Sequence, residues 1–151
     1  MSDVLFRQAV EADIQAIVDM LADDALGATR ETPSDLTPYR KAFAELDADE
    51  SMLLVAAERD GVVVGTAQIS FMPGLSHRGM WRAEIEAVRV KSDQRGTGLG
   101  SQLIRHCIEQ ARDRGCGMVQ LASNASRTDA RRFYERLGFA ASHVGFKLVL
   151  E

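Results

Sequence analysis

Gln94-Arg95-Gly96-Thr97-Gly98-Leu99-Gly100-Ser101 sets three glycines between a strand-like run and a long amphipathic stretch. No other part of the chain restricts the fold so tightly. Downstream, Leu99, Leu103, Ile104, Cys107, Ile108 and Ala111 recur at the spacing of one helix face, so the glycines occupy a strand-to-helix turn. Glycines there let the main chain approach an oxyanion, and the unpaired N–H groups of the first helical turn direct partial positive charge at it. Arg95 adds a fork of donors. The Gly-Lys-Ser/Thr ending of a Walker loop is missing, and Ser101 stands where a dinucleotide fingerprint needs its third glycine. Another kind of phosphate cradle and a purely structural helix start both remain open at this point.

The preceding strand, residues 80–90, is out of step with itself. Apolar residues occupy Trp81, Ala83, Ile85 and Ala87, after which the alternation jumps phase to Val88 and Val90. A β-bulge near Ala87 and Val88 would keep both apolar sets on the core side, leave Glu84, Glu86 and Arg89 opposite, and free backbone groups from the ladder. The competing reading is an ordinary edge strand with surface glutamates.

Around this unit the pattern predicts short elements without repeats or low-complexity linkers. A strand over 5–9 precedes a helix on which Ile14, Ile17, Val18, Leu21 and Ala25 share a face, broken over 27–33. A second helix starts near Thr37, with Pro38 in its first turn and Tyr39, Phe43 and Leu46 on one face. Strands over 53–58 and 62–71 flank Asp60-Gly61, a hairpin signal. Helices over 98–114 and 129–137 enclose a strand over 118–122, and a final extended segment runs to Leu150. The order implies a mixed α/β, or α+β, fold built on one sheet, and 151 residues fit one domain spanning 1–151.

Composition excludes several function classes. At 46% apolar and 26% charged, the chain holds enough apolar side chains for a packed core. Its apolar runs fall short of a membrane span and its start lacks a secretory pattern, so a cytoplasmic protein without a membrane partner is expected. The net charge of -4 argues against nucleic acid, yet residues 1–77 carry -9 and residues 78–151 carry +5. An anionic ligand suits the second half and a cationic one the first. Cys107 and Cys116 read as small buried hydrophobes, and His77, His106 and His143 show no metal-ligand spacing, so no metal is expected.

Arg95-Gly96-Thr97-Gly98-Leu99-Gly100 resembles the Arg/Gln-x-x-Gly-x-Gly/Ala loop of the GNAT-superfamily N-acetyltransferases, and Phe133-Tyr134-Glu135-Arg136-Leu137-Gly138-Phe139 is similar to their second hallmark, in the same order. Residues 7–21 also look like the family's opening, so the resemblance covers nearly the whole chain and is loosest between 27 and 49. It implies a central, mostly antiparallel, twisted sheet of six to seven strands with a splayed, bulged fourth strand and about four helices. It further implies acetyl-CoA as cosubstrate: the glycine loop cradles its pyrophosphate, the bulged strand pairs with its pantetheine arm, and the splay beyond that strand makes the acyl cleft.

Carried over position by position, Val88 and Val90 offer backbone groups to pantetheine, and Arg95, Gly96, Thr97, Gly98, Leu99, Gly100 and Ser101 hold the pyrophosphate. Asn124 faces the cofactor arm, Tyr134 matches the general acid, and Glu86 or Glu84 the general base. Many members place Asn seven residues before the tyrosine; this chain has Arg127 there, and Arg127 and Arg131 instead reach the nucleotide phosphates.

The chemistry also follows from the residues. A lysine-like ammonium, with a pKa of ~10.4, must lose its proton before it attacks a thioester. Glu84 and Glu86 project from one face, and repulsion with partial burial would raise one of them toward the working pH, with Glu86 favoured, acting through water. The N–H freed near Val88 suits a tetrahedral oxyanion. A thiolate, at ~8.5, is less basic than a tyrosinate at ~10, so a hydrogen bond from Tyr134 suffices at the leaving group. Cys107, on an apolar helix face, is badly placed as an acyl nucleophile, so transfer is direct. Loops over 27–49 and 72–79 would wall the acceptor pocket. The expected partner is a small-molecule or peptide amine, made slightly more plausible as a cation by the acidic first half. The alternatives are an amino-sugar phosphate acceptor, a catalytically idle acetyl-CoA-binding module and a nucleotide-binding domain. The last strands would support a homodimer.

Overall fold

The computed structural model describes residues 3–151 and divides into two compact units, one ending at Gln120 and the other comprising Leu121–Glu151. The first is built on a sheet in the order β1-β2-β3-β4-β5: β1 (Leu5–Gln8), β2 (Met52–Arg59), β3 (Val62–Met72), β4 (Arg82–Val90) and β5 (Met118–Leu121). The first three pairings are antiparallel. Gly117 N–H donates to Trp81 O at 2.9 Å just before both β5 and β4 begin, so these neighbours start at the same end and run parallel, and the sheet is mixed.

β2 and β3 read as continuous apolar runs because both of their faces are covered. On one face Ala56 meets Ile17 and Met20 of α1 (Ile14–Ala22), with Leu54 and Val63 packed alongside. Further helices in this unit are α2 (Gly27–Arg30), α3 (Thr37–Ala48), the short turn α4 (Ser76–Gly79) and α5 (Leu99–Asp113). On the opposite face Ala57 and Val64 meet Leu99 of α5, with Phe6 and Val90 beside them. Phe6 stacks on His106 at 4.7 Å, and burial lowers the imidazole pKa. The Asp60-Gly61 turn forms as expected, with φ of 54° and 78° at the two residues.

The second unit holds α6 (Thr128–Arg136), and none of its residues is buried. The extended segment expected near the C-terminus forms no strand: residues 139–151 are irregular. The sheet therefore has five strands rather than six to seven, and the described residues hold six α-helical segments rather than four, two of them four residues long. Trp81 and Ala87, expected on the core side of β4, are exposed, Trp81 at 44%. Trp81 lies before the strand proper, and Ala87 is turned out by the irregularity described below. No helix among the described residues is long and apolar enough to cross a membrane.

An ion-pair cluster missing from the sequence analysis pins the start of the chain. Arg7 grips buried Asp13 through two hydrogen bonds of 2.7 and 3.0 Å and reaches Glu58 at 3.2 Å. Asp13 also accepts the Val10 N–H at 2.8 Å, so one carboxylate joins β1, β2 and the entry to α1. The Arg7 guanidinium holds the Asp13 carboxyl below the usual carboxylate range. A depressed folded pKa gives stability that is present above the unfolded value of ~3.9 and is lost as pH falls through the folded one. Asp13→Asn is expected to cost about 1–3 kcal/mol at pH 7 and to flatten the acid limb of stability, as read by urea unfolding across pH. Equal stability of parent and variant at pH 7 would contradict this.

The break expected over 27–33 falls instead at residues 23–26, and Gly27 opens α2 with no room for a side chain. A Cβ there would lie 1.8 Å from Leu21 O, while the Gly27 N–H donates to Asp24 Oδ1 at 2.5 Å. Gly27→Ala must displace backbone, and a loss of about 2–3 kcal/mol is expected in chemical denaturation. A loss below about 0.5 kcal/mol would show that the 21–27 turn is not held as described.

Candidate active site

β3 and β4 pair regularly from Met72↔Arg82 to Gln68↔Glu86, then resume at Thr66↔Arg89 and Gly65↔Val90. Ala87 and Val88 thus stand opposite the single residue Ala67, and Ala87 adopts φ 53°. This is a β-bulge at the position expected from the phase jump. A left-handed residue other than glycine is uncommon, and alanine is small enough to accept it at modest cost. After the bulge Val90 packs against the α5 side of the core, which is where the phase jump required it.

On its other side β4 is only partly covered. Arg82 Nη1 donates to Gln120 Oε1 at 3.4 Å near the shared start of the two strands, but β5 spans four residues and β4 nine. Residues 86–90 therefore run past the end of β5, with the bulge inside that stretch. Glu84 is half-buried opposite Ser70, and Glu86 is exposed opposite Gln68, whose amide donates to Glu86 Oε1 at 3.3 Å. Partial burial, expected for both glutamates, holds for Glu84 alone, because Glu86 sits beside the bulge. The Val88 carbonyl accepts from Arg89 Nη1 at 2.9 Å.

The glycine loop follows directly. Residues 92–94 form a 3-10 turn, Thr97 Oγ1 donates back to Gln94 O at 2.6 Å, and Gly96 and Gly98 take φ of 79° and 85°. A Cβ on either glycine would meet nothing within 4 Å, so the main chain here faces open space. Gly98 caps α5, and the first helical bond runs from Gln102 N–H to Gly98 O at 3.2 Å. The N–H groups of Leu99, Gly100 and Ser101 thus have no partner within the helix. Gly65 lies under this helix start: a Cβ there would come 3.3 Å from Ala57 Cβ and 3.6 Å from Leu103 Cδ2. Exposed main chain at a helix N-terminus, directly after a bulged strand, is an arrangement that can receive an anion.

Three side-chain links hold the loop, and none was anticipated. Buried Arg59 donates to Gln94 Oε1, Arg89 Nε pairs with Asp24 Oδ2 at 3.3 Å, and Arg95 Nη2 lies 3.7 Å from Asp23 Oδ2. The opposite charges of the two chain halves were the available signal: part of that asymmetry is spent on pairs between the α1–α2 turn and the β4–α5 region. The β3–β4 connection is also irregular, since His77, Arg78 and Gly79 take φ of 53°, 61° and 76° in a left-handed turn beside Leu75, which is 97% exposed.

The structure brings Glu84, Glu86, Val88, Val90 and residues 95–101 together along β4 and its following turn. Asn124, Arg127, Arg131 and Tyr134 belong to the second unit. There Asn124 Oδ1 accepts from Ser126 N–H at 3.0 Å and Ser126 Oγ at 2.6 Å, closing a turn before α6. Arg131 pairs with Glu135 at 3.4 Å, and half-buried Tyr134 stands edge-on to Phe133 and Phe139 at 5.1 and 5.8 Å. Cys107 is fully buried, and burial pushes its thiol up to about 12, so it stays protonated and closed off at neutral pH.

Relatives bear on this geometry. Aminoalkylphosphonate N-acetyltransferase of Salmonella typhimurium is 35% identical over 116 residues, covering 77% of this chain and 75% of that protein. The L-methionine sulfoximine/L-methionine sulfone acetyltransferase of Pseudomonas aeruginosa is 34% identical over 142 residues, covering 90% and 80%. A crystal structure described as a transcriptional regulator from Bacillus halodurans C-125 superposes with TM-score 0.95 at 45% identity, covering 98% of this chain and 100% of that one. The family model described as Acetyltransferase (GNAT) family matches residues 14–139, a span that contains the bulge, the glycine loop and α6, and the chain belongs to that family.

Proposed function

We propose that residues 1–151 act as one acetyl-CoA-dependent N-acetyltransferase domain, moving the acetyl group by direct transfer to a primary amine of a small molecule or peptide. The observation that carries this reading is the bulge at Ala87, followed within the next turn by an open glycine loop and a start of α5 that no side chain caps. The GNAT family uses acetyl-CoA generally, and the relatives above are named for acetylating amine compounds, which favours a small amine acceptor.

In this reading the main-chain N–H groups of residues 96–101, with Arg95, hold the pyrophosphate; Thr97 supports the loop rather than the ligand, because its hydroxyl is bonded to Gln94 O. Arg127 and Arg131 serve the nucleotide phosphates, and Asn124 serves the cofactor arm through its amide nitrogen, its oxygen being engaged by Ser126. Backbone groups of Val88 and Val90 align the pantetheine arm, and the Val88 N–H receives the developing oxyanion. Glu86 takes the amine proton through water, held by Gln68, with Glu84 as the nearby second carboxylate. The Tyr134 hydroxyl donates to the departing thiolate. The left-handed turn at residues 77–79 contributes a wall of the acceptor pocket, in keeping with specificity carried on loops.

The test is a thermal-shift screen followed by free-thiol release over a panel of primary amines. Protection by CoA and acetyl-CoA with amine-dependent thiol release is expected; protection by ATP or NAD instead would replace the reading with nucleotide binding, and CoA protection without turnover on any amine would leave an idle binding module. With an active amine in hand, Glu86→Gln and Tyr134→Phe should each lower kcat by roughly tenfold to a hundredfold while the acetyl-CoA Kd stays within about twofold. Unchanged kcat removes the substituted residue from the mechanism, and a weakened Kd would mean that it binds rather than reacts.

A further inference from the structure

The two faces of β3 and β4 are finished differently. On one, Ala67, Ile69 and Phe71 of β3 and Ala83 and Ile85 of β4 are at most 2% exposed. On the other, Gln68, Ser70 and Met72 stand opposite Glu86, Glu84 and Arg82; Glu86 is exposed and the rest are half-buried. This second face is the one that α1 packs on at β2, because Leu54, the partner of Gln68, joins the cluster of Ile17 and Met20. The strip beside it along β3 and β4 stays polar and open. A sheet covered by helices on both sides ordinarily turns apolar residues to each, so a half-open polar row there needs a use.

One member of the row is short of partners. Arg7, Arg59 and Arg89, the other arginines of the sheet, are held by Asp13 and Glu58, by Gln94 and by Asp24. Arg82 has no such partner. Its Nη1 makes a 3.4 Å bond to Gln120 Oε1, its Nε is buried without a hydrogen bond, and no carboxylate among the described residues pairs with it. The β3–β4 loop passes beside it, since a Cβ on Gly74 would lie 4.0 Å from Arg82 Nη2. Further along the face, Ser70 and Glu84 make no side-chain hydrogen bond or ion pair among the described residues. A half-buried guanidinium with donors to spare is a seat for an oxyanion, which can accept two parallel N–H bonds from it. Successive residues on one strand face lie about 7 Å apart, so Glu84 and Glu86 stand one and two steps away. A short molecule can therefore set an ammonium at the carboxylates and an anion at Arg82.

We propose, building on the transfer reading above, that Arg82 binds an anionic group of the acceptor, so that the amines this chain acetylates are short zwitterions carrying a carboxylate or a phosphonate. The Ser70 hydroxyl is available to the same molecule. Arg82 selects the acceptor and takes no part in proton transfer. Glu84 and Glu86 alone would welcome a diamine, but its second ammonium would meet the guanidinium, and like charge disfavours it.

The test compares primary amines of one chain length that end in a carboxylate, a phosphonate, a hydroxyl or a second ammonium. For at least one of the anionic amines kcat/KM should exceed that for the alcohol and the diamine by about thirtyfold or more, and the preferred anion names the group that Arg82 takes. Equal rates, or preference for the alcohol or the diamine, overturn the proposal and leave acetyl transfer standing. No thiol release with any amine, here or in the wider panel, overturns the transfer reading and this inference with it. Arg82→Gln should raise KM for the preferred acceptor by about a hundredfold while kcat and the acetyl-CoA Kd stay within about twofold, and Arg82→Lys should recover part of the loss. A variant that slows the alcohol as much as the anionic amine would show a structural role and overturn the assignment. The comparison of acceptors on the unsubstituted protein decides the matter if Arg82→Gln fails to fold.

Discussion

One extra residue in β4 is the constraint on which the site depends. Ala87 and Val88 share a single partner, Ala67, and the backbone accepts this by turning Ala87 into the left-handed region. The insertion reverses which side chains face the core. Ala83 and Ile85 are buried ahead of it and Val90 packs against Leu99 behind it, so neither half of the strand loses its apolar contacts. A ladder in strict register would put one of those sets in water. The bulge lies beyond the four residues of β5, and the strand leads straight into the turn that starts α5.

Charge then holds what the bulge creates. The acidic turn after α1 pairs with Arg89 and Arg95, Arg59 steadies Gln94, and Arg7 with Asp13 ties the start of α1 to β1 and β2. The links differ in strength. Asp13 is buried and doubly bonded, whereas Arg95 and Asp23 are both more than half exposed and their 3.7 Å pair is weak. Breaking the Arg95–Asp23 pair therefore costs little, and in the reading proposed above Arg95 would leave it for a ligand phosphate.

Much of this was legible in the sequence because the signals were local. The Asp60-Gly61 hairpin, the helical face from Leu99 to Ala111, the phase jump in 80–90 and the glycine turn each lie within one element or one turn, where period and steric permission decide the outcome. The ion pairs were not legible, because Arg89 and Asp24 are brought together by packing and not by spacing. The strand count differed for a related reason: residues 143–150 have the period of a strand, but a strand needs an edge to pair with, and the alternation does not say whose. Exposure of Glu86 and Ala87 likewise follows from the bulge geometry, which a period-2 pattern locates but does not orient.

The most direct test of the central claim removes the extra residue. Deleting Ala87 should leave a folded protein with a continuous β3–β4 ladder while acetyl-CoA affinity, read by calorimetric titration beside far-ultraviolet circular dichroism, falls by about a hundredfold or more. A folded deletion variant that binds acetyl-CoA as tightly as the parent would contradict the account.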